Sequence, residues 1–359
     1  MSAHALTPET PETPKTPEPP ETPGTPEAPE TPVAPVAPET PETPVAHFGT
    51  GFLTTRILGN GVGYQWTRVP GPDREDPFTS VPESVRAATA ALGLSGVRVA
   101  LGRGGRAERR YPAPLPYTLA HVLTTLPESP DRWAAMPRLL HGVGVTVRRV
   151  HDEVRTGPVV RRPSGGLRLS RWLARRDGPG GAARLFEAAE HRLGRLRTDR
   201  VRHWLGEWEQ ERPDDVLVLG AVGLGAVIPA RPPQAGVLLA GEELARGPRA
   251  HDLGWLLGEL AEFRLLHFAG PRHTEAAALC AAAARAVLHG YGPEAADTEA
   301  VERAAVLRVL LHAHDYAAYV GWTEQLLDYL DLLADLIDTP AAAGAPAEGP
   351  YEPTDLEKA

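Results

Sequence analysis

The segment 217-LVLGAVGLGAVI-228 is apolar, rich in β-branched residues and interrupted by three glycines, unlike the sequence on either side of it. Short apolar runs of this composition, bounded by glycine, favour buried strands over helix. A second run of the same kind, 236-GVLLA-240, follows closely. Together the two runs predict a β-rich insertion within an otherwise helical region.

Helices are predicted on both sides of this insertion, because apolar residues recur there at spacings of three and four. The predicted helices before it are Tyr117–Thr125, Trp133–Glu153, Leu169–Arg175, Gly181–Arg197 and Arg200–Glu211. Those after it are His251–Phe263, Thr274–Leu288, Thr298–Val320 and Trp322–Ile337. In the last helix one face is apolar and is predicted to be buried in the core; it consists of Trp322, Leu326, Tyr329, Leu330, Leu333 and Ile337.

A smaller mixed unit precedes the helices. The segment 52-FLTTRILGNGVGYQWTRV-69 alternates apolar and polar residues around a glycine cluster, which predicts a β-hairpin. Asn60-Gly61 is a dipeptide that a tight primed turn prefers, since both residues tolerate positive φ. A helix at Val81–Leu92 and a strand at Gly96–Leu101 are predicted to follow, so the fold class is α+β.

The two ends of the chain differ from this body in composition. From Pro8 to Pro44 the sequence repeats Thr, Pro and Glu, and residues 1–46 contain eight Glu and one Lys. Such a segment has almost nothing to bury and is predicted to be disordered, as is the acidic segment 339–359. Because the tails carry most of the net charge of −9, the body is nearly neutral and gives no bulk support for nucleic-acid binding.

The sequence also limits the chemistry and the location of the protein. The single cysteine, Cys280, excludes an intrachain disulfide and zinc sites with three or four cysteines, and it is expected to be a small buried residue. With no signal-peptide pattern and no run of about 18 apolar residues, we expect a soluble cytoplasmic protein without a membrane partner. Phosphate-binding, zinc-protease and nucleophile-elbow motifs are absent, and His312 and His314, two apart on a predicted helix, point to different sides.

The order of a small β-rich lobe, helices, a β-hairpin insertion and more helices resembles the aminoglycoside phosphotransferase-like kinases over roughly residues 47–338. The segment 217–228 resembles the family's catalytic loop, hydrophobic-His-Gly-Asp-x-x-x-x-Asn. In that register Leu219 stands at the His and Gly220 is kept. Ala221 replaces the Asp base, and Ala226 replaces the metal-binding Asn.

Two further segments fit the same register. The stretch 236-GVLLAGEELARGPRAHDLGWLLGEL-260 is similar to the family's strand, metal-binding Asp and downstream helix start, which places Ala240 at the metal-binding Asp. His251 and Asp252 fall at the helix start, where Asp252 is expected either to cap the helix or to bond the catalytic loop. Upstream, 147-VRRVHDE-153 resembles the end of a family helix. The resemblance implies a protein-kinase-like two-lobed fold with lobes at 47–126 and 127–338.

The resemblance also implies that the chemistry is lost. Phosphoryl transfer needs a carboxylate for the acceptor hydroxyl, Asn and Asp for magnesium, and a lysine for the nucleotide phosphates. Alanine supplies none of these groups, and the only lysines in the chain are Lys15 and Lys358. We therefore expect no metal and no cofactor. Open alternatives are Arg68 or Arg98 in place of the lysine, Glu242 or Glu243 as magnesium ligands rather than exposed loop charges, and Gly59, Gly61 and Gly63 as a nucleotide-loop remnant rather than a plain turn.

A kinase fold without transfer chemistry is expected to serve as a binding subunit. The Ala-, Arg-, Gly- and Pro-rich composition is typical of a high-GC actinobacterial genome. Kinase-like proteins of this family recur there beside lyase-like partners that dehydrate Ser and Thr of a precursor peptide, as in class V lanthipeptide and thioamitide clusters. The resemblance implies a subunit that holds the precursor peptide or the active kinase, or assists ring closure.

Two arginine-rich segments, 161–176 and 103–110, offer basic surface for an acidic leader peptide. Arg171, Arg175 and Arg176 are the candidate peptide- or partner-binding residues. Two other functions stay open: a phosphotransferase with relocated catalytic residues, and a cyclase that uses His or Asp in the old cleft.

Overall fold

The computed structural model describes residues 42–93, 96–125, 135–231, 236–270, 273–292 and 297–345. Its small lobe contains one helix, α1 (Glu83–Ala91), and the antiparallel sheet β1-β2-β3-β5. The strands in this part of the chain are β1 (Thr43–Gly49), β2 (Leu53–Gly59), β3 (Tyr64–Pro70), β4 (Val97–Ala100) and β5 (Arg109–Ala113).

The predicted hairpin is strands β2 and β3, which pair in register from Leu53↔Pro70 to Gly59↔Tyr64. Its turn contains residues 60–63 and is therefore longer than a two-residue primed turn. Asn60 closes the turn through its side chain, whose Oδ1 accepts the Gly63 N–H at 2.9 Å. Gly61 has a φ of 76°, the conformation that the Asn-Gly dipeptide was expected to supply.

The large lobe is built from helices. They are α2 (Leu119–Thr125), α3 (Met136–Glu153), α4 (Ser164–Arg175), α5 (Ala182–Glu209), α6 (Ala250–Glu262), α7 (Thr274–Tyr291), α8 (Thr298–Tyr319) and α9 (Gln325–Asp338). A π-helical turn, Phe263–His267, extends α6. The two predicted helices, Gly181–Arg197 and Arg200–Glu211, correspond to the two segments of α5, which are separated by a kink at Gly194 (φ 69°, ψ 174°) upstream of the predicted break.

The β-rich insertion is confirmed and consists of four short strands. They are β6 (Val216–Val218), β7 (Val227–Pro229), β8 (Gly236–Leu239) and β9 (Ala245–Gly247). Strand β6 pairs with β9, and β8 lies between β7 and β4. Because β4 precedes the helical lobe in the chain and pairs parallel with β8, this sheet ties the two lobes together.

The main core lies among the helices of the large lobe. The predicted buried face of the last helix is confirmed for Leu326, Tyr329, Leu330, Leu333 and Ile337, all of which are buried. Trp322 precedes α9 and is half-buried. Within the described residues, no helix has the length and apolar character that crossing a membrane would require.

Two domain boundaries expected from composition differ in the structure. Strand β1 begins at Thr43, inside the segment 1–46 expected to be tail, because residues 43–49 pair with β2. At the other end, Ala343 is fully buried beside α8 and α9, so packing continues past residue 339. Composition gives no sign of either contact, since Thr, Pro and Ala dominate both stretches.

Candidate functional site in the interlobe cleft

Asp252, at the start of α6, binds the backbone of residues 219–226, the loop between β6 and β7. The Asp252 carboxylate accepts the N–H of Leu219 at 2.7 Å and the N–H of Gly220 at 2.9 Å. Gly220 has a φ of 84°, and a Cβ at this position would lie 2.0 Å from the carbonyl oxygen of Glu243. The loop therefore requires glycine here, and Asp252 bonds the loop, one of the two roles expected for it.

Asp252 is itself fully buried and is stabilised by histidine. His151 Nε2 lies 3.2 Å from the Asp252 carboxylate, and His151 Nδ1 lies 2.9 Å from the Tyr291 hydroxyl. Burial alone would raise the pKa of Asp252, but the hydrogen bond and charge of His151 outweigh it and hold the pKa below its usual value. Burial lowers the pKa of His251, whose neutral ring lies 3.1 Å from the Gly220 carbonyl through Nε2.

The three positions that the resemblance aligns with phosphotransfer groups carry only methyl side chains. Ala221 is exposed and Ala226 is buried, and both line one cavity in the cleft. Ala240 is buried at the end of β8, where its N–H donates to the Ala100 carbonyl at 2.8 Å. None of the three side chains has an atom that accepts a proton or binds a hard cation.

Under the small-lobe sheet the cleft is filled by side chains, and we call this region the apolar end. Trp66 and Tyr111 project from the sheet and are 1% and 0% exposed. They belong to one cluster with Ile228, Val237 and Leu239 of the β7–β8 hairpin, each at most 2% exposed. The small-lobe sheet therefore packs directly on the hairpin that follows the loop.

Arg68 on β3 reaches the edge of the apolar end. Its guanidinium lies 3.3 Å from Glu242 Oε1 and donates to the Gly225 carbonyl at 3.0 Å. Tyr111 donates to the same Glu242 oxygen at 2.6 Å, and burial followed by the Glu242 charge raises the pKa of Tyr111. Arg98, the other arginine considered, is exposed on β4.

The interpretation of Glu242 and Glu243 as exposed loop charges was wrong. They are 8% and 6% exposed, because arginines from the small lobe and from α4 enclose them. Arg74 contacts Glu243 at 2.7 Å and Arg168 contacts it at 3.6 Å. Burial opposes ionisation of Glu243, but the charges of Arg168 and Arg74 lower its pKa.

Beyond Ala221 and Ala226 the cleft opens into a cavity of about 300 Å³, which we call the polar end. Phe52, in the β1–β2 turn, lies at its margin, where the guanidinium carbons of Arg74 and Arg168 are 4.2 Å and 4.3 Å from its ring centre. Other charged residues of the lining are Arg68, Glu242, Glu243, Glu259, Arg308, His312 and Asp315.

Helix α8 supplies the far wall of the polar end. Asp315 accepts from Arg168 at 2.9 Å. His312 lines the cavity, whereas His314 is buried against Trp172, so the expectation that the two histidines point to different sides is confirmed. The pairing of His312 with Glu262, 50 residues away, has no signal in the sequence around either residue.

The three glycines expected as a nucleotide-loop remnant lie elsewhere. Gly59, Gly61 and Gly63 line a separate cavity at the β2–β3 turn, with Tyr64 and Leu115, and not the cavity that contains Ala221 and Ala226. The turn of Gly51 and Phe52 contacts helix α8 of the large lobe, where the Gly51 N–H donates to the Tyr319 carbonyl at 3.0 Å.

The three candidate arginines of α4 lie on the surface but in different environments. Arg171 is paired with Asp76 at 3.2 Å and Glu75 at 3.5 Å. Arg176 ends the helix in the left-handed conformation, with a φ of 65°. Arg175 is exposed and forms no ion pair with the described residues.

Two other expectations concern metals and thiols. Within the described ranges, no three His, Cys, Asp or Glu side chains are grouped so that they could hold a metal ion. Cys280 is 1% exposed, and burial raises its pKa to about 12, as expected for an unreactive apolar position.

No protein-family model matches the chain, and no curated protein matches its sequence. Among solved structures, the amicoumacin kinase hAmiN, in complex with AMP-PNP, Ca²⁺ and Ami, is 11% identical with a TM-score of 0.52, covering 89% of this chain and 92% of that one. A Plasmodium vivax ethanolamine kinase (10% identity, TM-score 0.49, 86% and 84% coverage) and the spectinomycin phosphotransferase APH(9)-Ia (10%, 0.47, 84% and 93%) are also similar. At these identities the comparison shows the fold alone, and the fold follows from hAmiN: the chain has the α+β, two-lobed architecture of the protein-kinase-like fold.

Proposed function

We propose that this chain is a kinase-fold subunit that does not transfer phosphate and instead binds a peptide in its cleft, within a multi-enzyme assembly of the lanthipeptide type. One observation carries the first half of the proposal. In kinases the phosphate-binding lysine is on the third strand and the metal ligands lie on or just after the catalytic loop. A nucleotide therefore needs the space between sheet and hairpin that Trp66, Tyr111 and Ile228 fill here.

The residues present do not fit a magnesium–nucleotide complex. Ala221, Ala226 and Ala240 offer no oxygen ligand, and Arg68 on β3 is already bound to Glu242 and to the loop. The nearby carboxylates that could replace the missing ligands, Glu242 and Glu243, are each paired with arginine. This pairing argues against a phosphotransferase with relocated catalytic residues, because releasing a buried carboxylate from its arginine leaves an uncompensated charge.

The second half of the proposal rests on the cavity at the polar end. A cavity of about 300 Å³ lined by both apolar and charged side chains has room for one or two side chains of a peptide. On the outer surface, Arg175 is available for an acidic leader segment, and Arg171 and Arg176 would have to give up Asp76 and Glu190 to join it. The partner enzymes, one kinase-like and one lyase-like, are proposed from the family resemblance alone.

Two measurements test the proposal. Calorimetry with ATP and Mg²⁺ is expected to give no heat of binding, and a thermal-shift assay no stabilisation, whereas a ligand at about 100 times its dissociation constant would stabilise the fold by about 2.7 kcal/mol. Separately, the Ser/Thr/Cys-rich precursor peptide encoded beside the gene is expected to bind in a fluorescence anisotropy assay. Nucleotide binding would refute the first half; the absence of such a neighbouring gene, or of peptide binding, would refute the second.

A further inference from the structure

Helices α6 and α8 pack closely behind the polar end, and their packing places one arginine against the cavity. A Cβ at Gly258 of α6 would lie 2.4 Å from the Ala305 carbonyl oxygen and 2.9 Å from Cβ of Arg308, both on α8. Only glycine at this position lets the two helices approach so closely. The side chain of Arg308 therefore starts against α6 and lines the cavity of about 300 Å³ beside Glu259.

Arg308 differs in its partners from the other arginines of the polar end. Each of the others donates a hydrogen bond of 3.0 Å or less to a carboxylate or carbonyl oxygen; they are Arg68, Arg74 and Arg168. Arg308 forms no hydrogen bond with any residue that the structure describes. Its Nη2 lies 3.8 Å from Oε2 of Glu259, which is an ion pair but too long for a hydrogen bond.

Glu259 is held away from Arg308 by the loop of residues 219–226. The Oε2 atom that faces Arg308 also accepts the N–H of Leu224 at 2.8 Å. A movement of the carboxylate toward Arg308 would leave this amide without its acceptor, and an unsatisfied buried donor is costly. The donors of Arg308 are therefore not satisfied by its neighbouring carboxylate.

The environment of Arg308 favours a ligand that carries a carboxylate. Its side chain is only 17% exposed, and a largely buried cation is stable when it is paired and hydrogen-bonded. The guanidinium presents its N–H donors in a planar fork that matches the two oxygens of a carboxylate. Because Arg308 lines an open cavity, a ligand in that cavity can supply this partner.

The rest of the lining limits which anion can enter. Glu259 lies beside Arg308, and three more carboxylates line the cavity: Glu242, Glu243 and Asp315. A phosphate group, with a charge of about −2, would be repelled by them more strongly than a carboxylate with a single charge. Apolar side chains also line the cavity and suit the methylene groups that carry a carboxylate; they are Leu53, Trp255 and Leu311.

We propose that Arg308 is a ligand-binding residue and that the polar end takes a carboxylate of the bound peptide, whose two oxygens accept from the guanidinium. The inference deepens the proposed function and rests on it, because the peptide supplies the carboxylate. An Asp or Glu side chain and a C-terminal carboxylate offer the same chemistry and are distinguished by experiment. Glu259 is the competing charge that keeps the binding of this carboxylate weak enough to be reversible.

Three small probes separate the carboxylate from the rest of a peptide. N-acetyl-glutamate α-amide carries a side-chain carboxylate, N-acetyl-alanine carries a terminal one, and N-acetyl-glutamine α-amide is the neutral match of the first. Binding to the full-length protein is measured by calorimetry at constant ionic strength, because salt screens charge pairs. At least one carboxylate probe is expected to bind, and the tighter of the two identifies the source. The glutamine probe and inorganic phosphate are expected to bind more weakly.

Variants of Arg308 test its part in this binding. Arg308→Gln is expected to weaken binding of the tighter carboxylate probe at least about tenfold, since a hydrogen bond to a charged group contributes at least that much. Arg308→Lys keeps the charge without the fork and should recover only part of the affinity. Arg303→Gln is the matched control, because Arg303 is also on α8 but pairs with Glu207 at 3.2 Å, outside the cavity.

Glu259→Gln distinguishes a ligand-binding arginine from a purely structural ion pair. Glutamine keeps an oxygen that can accept the Leu224 N–H and removes the charge that competes with the ligand for Arg308. We expect the carboxylate probe to bind several-fold more tightly to this variant. Weaker or equal binding would show that Glu259 does not compete with a ligand and would contradict the proposal.

The outcomes separate this proposal from the proposed function. The carboxylate site is refuted if neither carboxylate probe binds, if the glutamine probe or phosphate binds as tightly, or if Arg308→Gln binds like the wild type. The precursor-peptide assay then still decides the proposed function. If a carboxylate probe binds through Arg308 but the precursor peptide does not bind, the proposed function falls, and with it the peptide as the source of the carboxylate. Unchanged melting temperatures of the variants without ligand exclude loss of the fold as the cause of weaker binding.

Discussion

The two ends of the interlobe cleft differ in the side chains that line them, although the loop of residues 219–226 borders both. One end is packed with apolar side chains, and the other is an open cavity with many charged residues. At the apolar end Trp66, Tyr111 and Ile228 are each at most 1% exposed and pack in one cluster. At the polar end, Arg74 and Arg168 line a cavity that stays open. The difference lies in the side chains and not in the backbone, because Asp252 holds the loop in one conformation for both ends.

The contrast separates the backbone of the loop, which both ends share, from the side chains around it, which differ. Gly220 and Asp252 fix the path of the loop, and they do so through backbone amides and a positive φ. Ala221 and Ala226, which the proposed function places at lost phosphotransfer groups, carry only methyl side chains.

The largest effect is expected for Asp252→Ala. The change leaves the N–H groups of Leu219 and Gly220 without their acceptor and His151 without its carboxylate, all in a fully buried site. Breaking a buried pair costs about 3–5 kcal/mol, and we expect the free energy of unfolding in urea to fall by about 4–5 kcal/mol. Asp252→Asn, which keeps one acceptor oxygen, should cost less; a loss under about 1 kcal/mol for Asp252→Ala would contradict the role of Asp252.

Trp66→Ala tests the apolar end. Truncation of a buried tryptophan lowers the free energy of unfolding by about 3–5 kcal/mol. Here we expect a loss of about 3–4 kcal/mol, because β3, which carries Trp66, is paired with a strand on each side. The variant opens space where a nucleotide would lie, yet we expect no binding of ATP and Mg²⁺ by calorimetry, since the alanines remain. If Trp66→Ala binds ATP and Mg²⁺, then the packing of the apolar end, and not the lack of metal ligands, excludes nucleotide from the wild-type protein.

How far these features can be predicted from sequence depends on how local their signals are. The β-rich insertion, the hairpin and the buried face of the last helix follow from periodicity within one element, and the structure confirms them. The contact of Asp252 with the loop follows from the position of Asp252 in the segment that resembles the kinase family. The burial of Arg109 cannot be predicted in this way, and its segment, 103–110, was interpreted as basic surface. Arg109 is 0% exposed because its guanidinium donates to the carbonyls of Thr79, Gly104, Gly105 and Gly241.

The polar end was the least predictable region for the same reason. Glu243 meets Arg74 and Arg168 from segments 169 and 75 residues away in sequence, and Glu262 meets His312 across 50 residues. Such pairs are created when helices and strands pack, and nothing within either segment marks the partner. Glu262 lies in 256-LLGELAEFRLL-266 together with two other charged residues, Glu259 and Arg264, so its own segment does not single it out as buried.

The polar end should make stability depend on acid pH. Burial alone would raise the pKa of Asp315, but Arg168 and His314 outweigh it and hold the pKa at about 2. A carboxylate with a depressed pKa stabilises the fold above its unfolded pKa, near 3.8, and this contribution is lost as the pH falls through about 2. The loss should be roughly 2 kcal/mol, seen in urea unfolding between pH 5 and about 2. Asp315→Asn should lack this dependence, and equal pH slopes in the two proteins would contradict it.

Phe52→Ala tests how the small lobe is held at the margin of the polar end. The ring contacts the guanidinium groups of Arg74 and Arg168 and lies 5.1 Å from the Tyr319 ring. Two partly desolvated cation–π contacts and the lost apolar area should cost about 1–2 kcal/mol. Hydrogen exchange of the Gly51 amide, which donates to Tyr319, should accelerate; Phe52→Tyr keeps the ring and is the control. Unchanged exchange in Phe52→Ala would show that the turn is held by its backbone alone.

The smallest effect is expected for Arg176→Gly, outside both ends of the cleft. Arg176 ends α4 with a φ of 65°, a conformation that glycine adopts without strain, so the change should stabilise the fold by several tenths of a kcal/mol. It also removes the contact of the guanidinium with the Phe186 ring at 5.5 Å, an exposed cation–π interaction worth about 0.5–1 kcal/mol. These opposing contributions should leave the free energy of unfolding within about 0.5 kcal/mol of the wild type. Arg175→Gly is the control, because Arg175 has a helical conformation in which glycine relieves no backbone strain, and this change should be destabilising by about 1 kcal/mol. Equal losses of stability in the two variants would show that the left-handed conformation of Arg176 carries no strain.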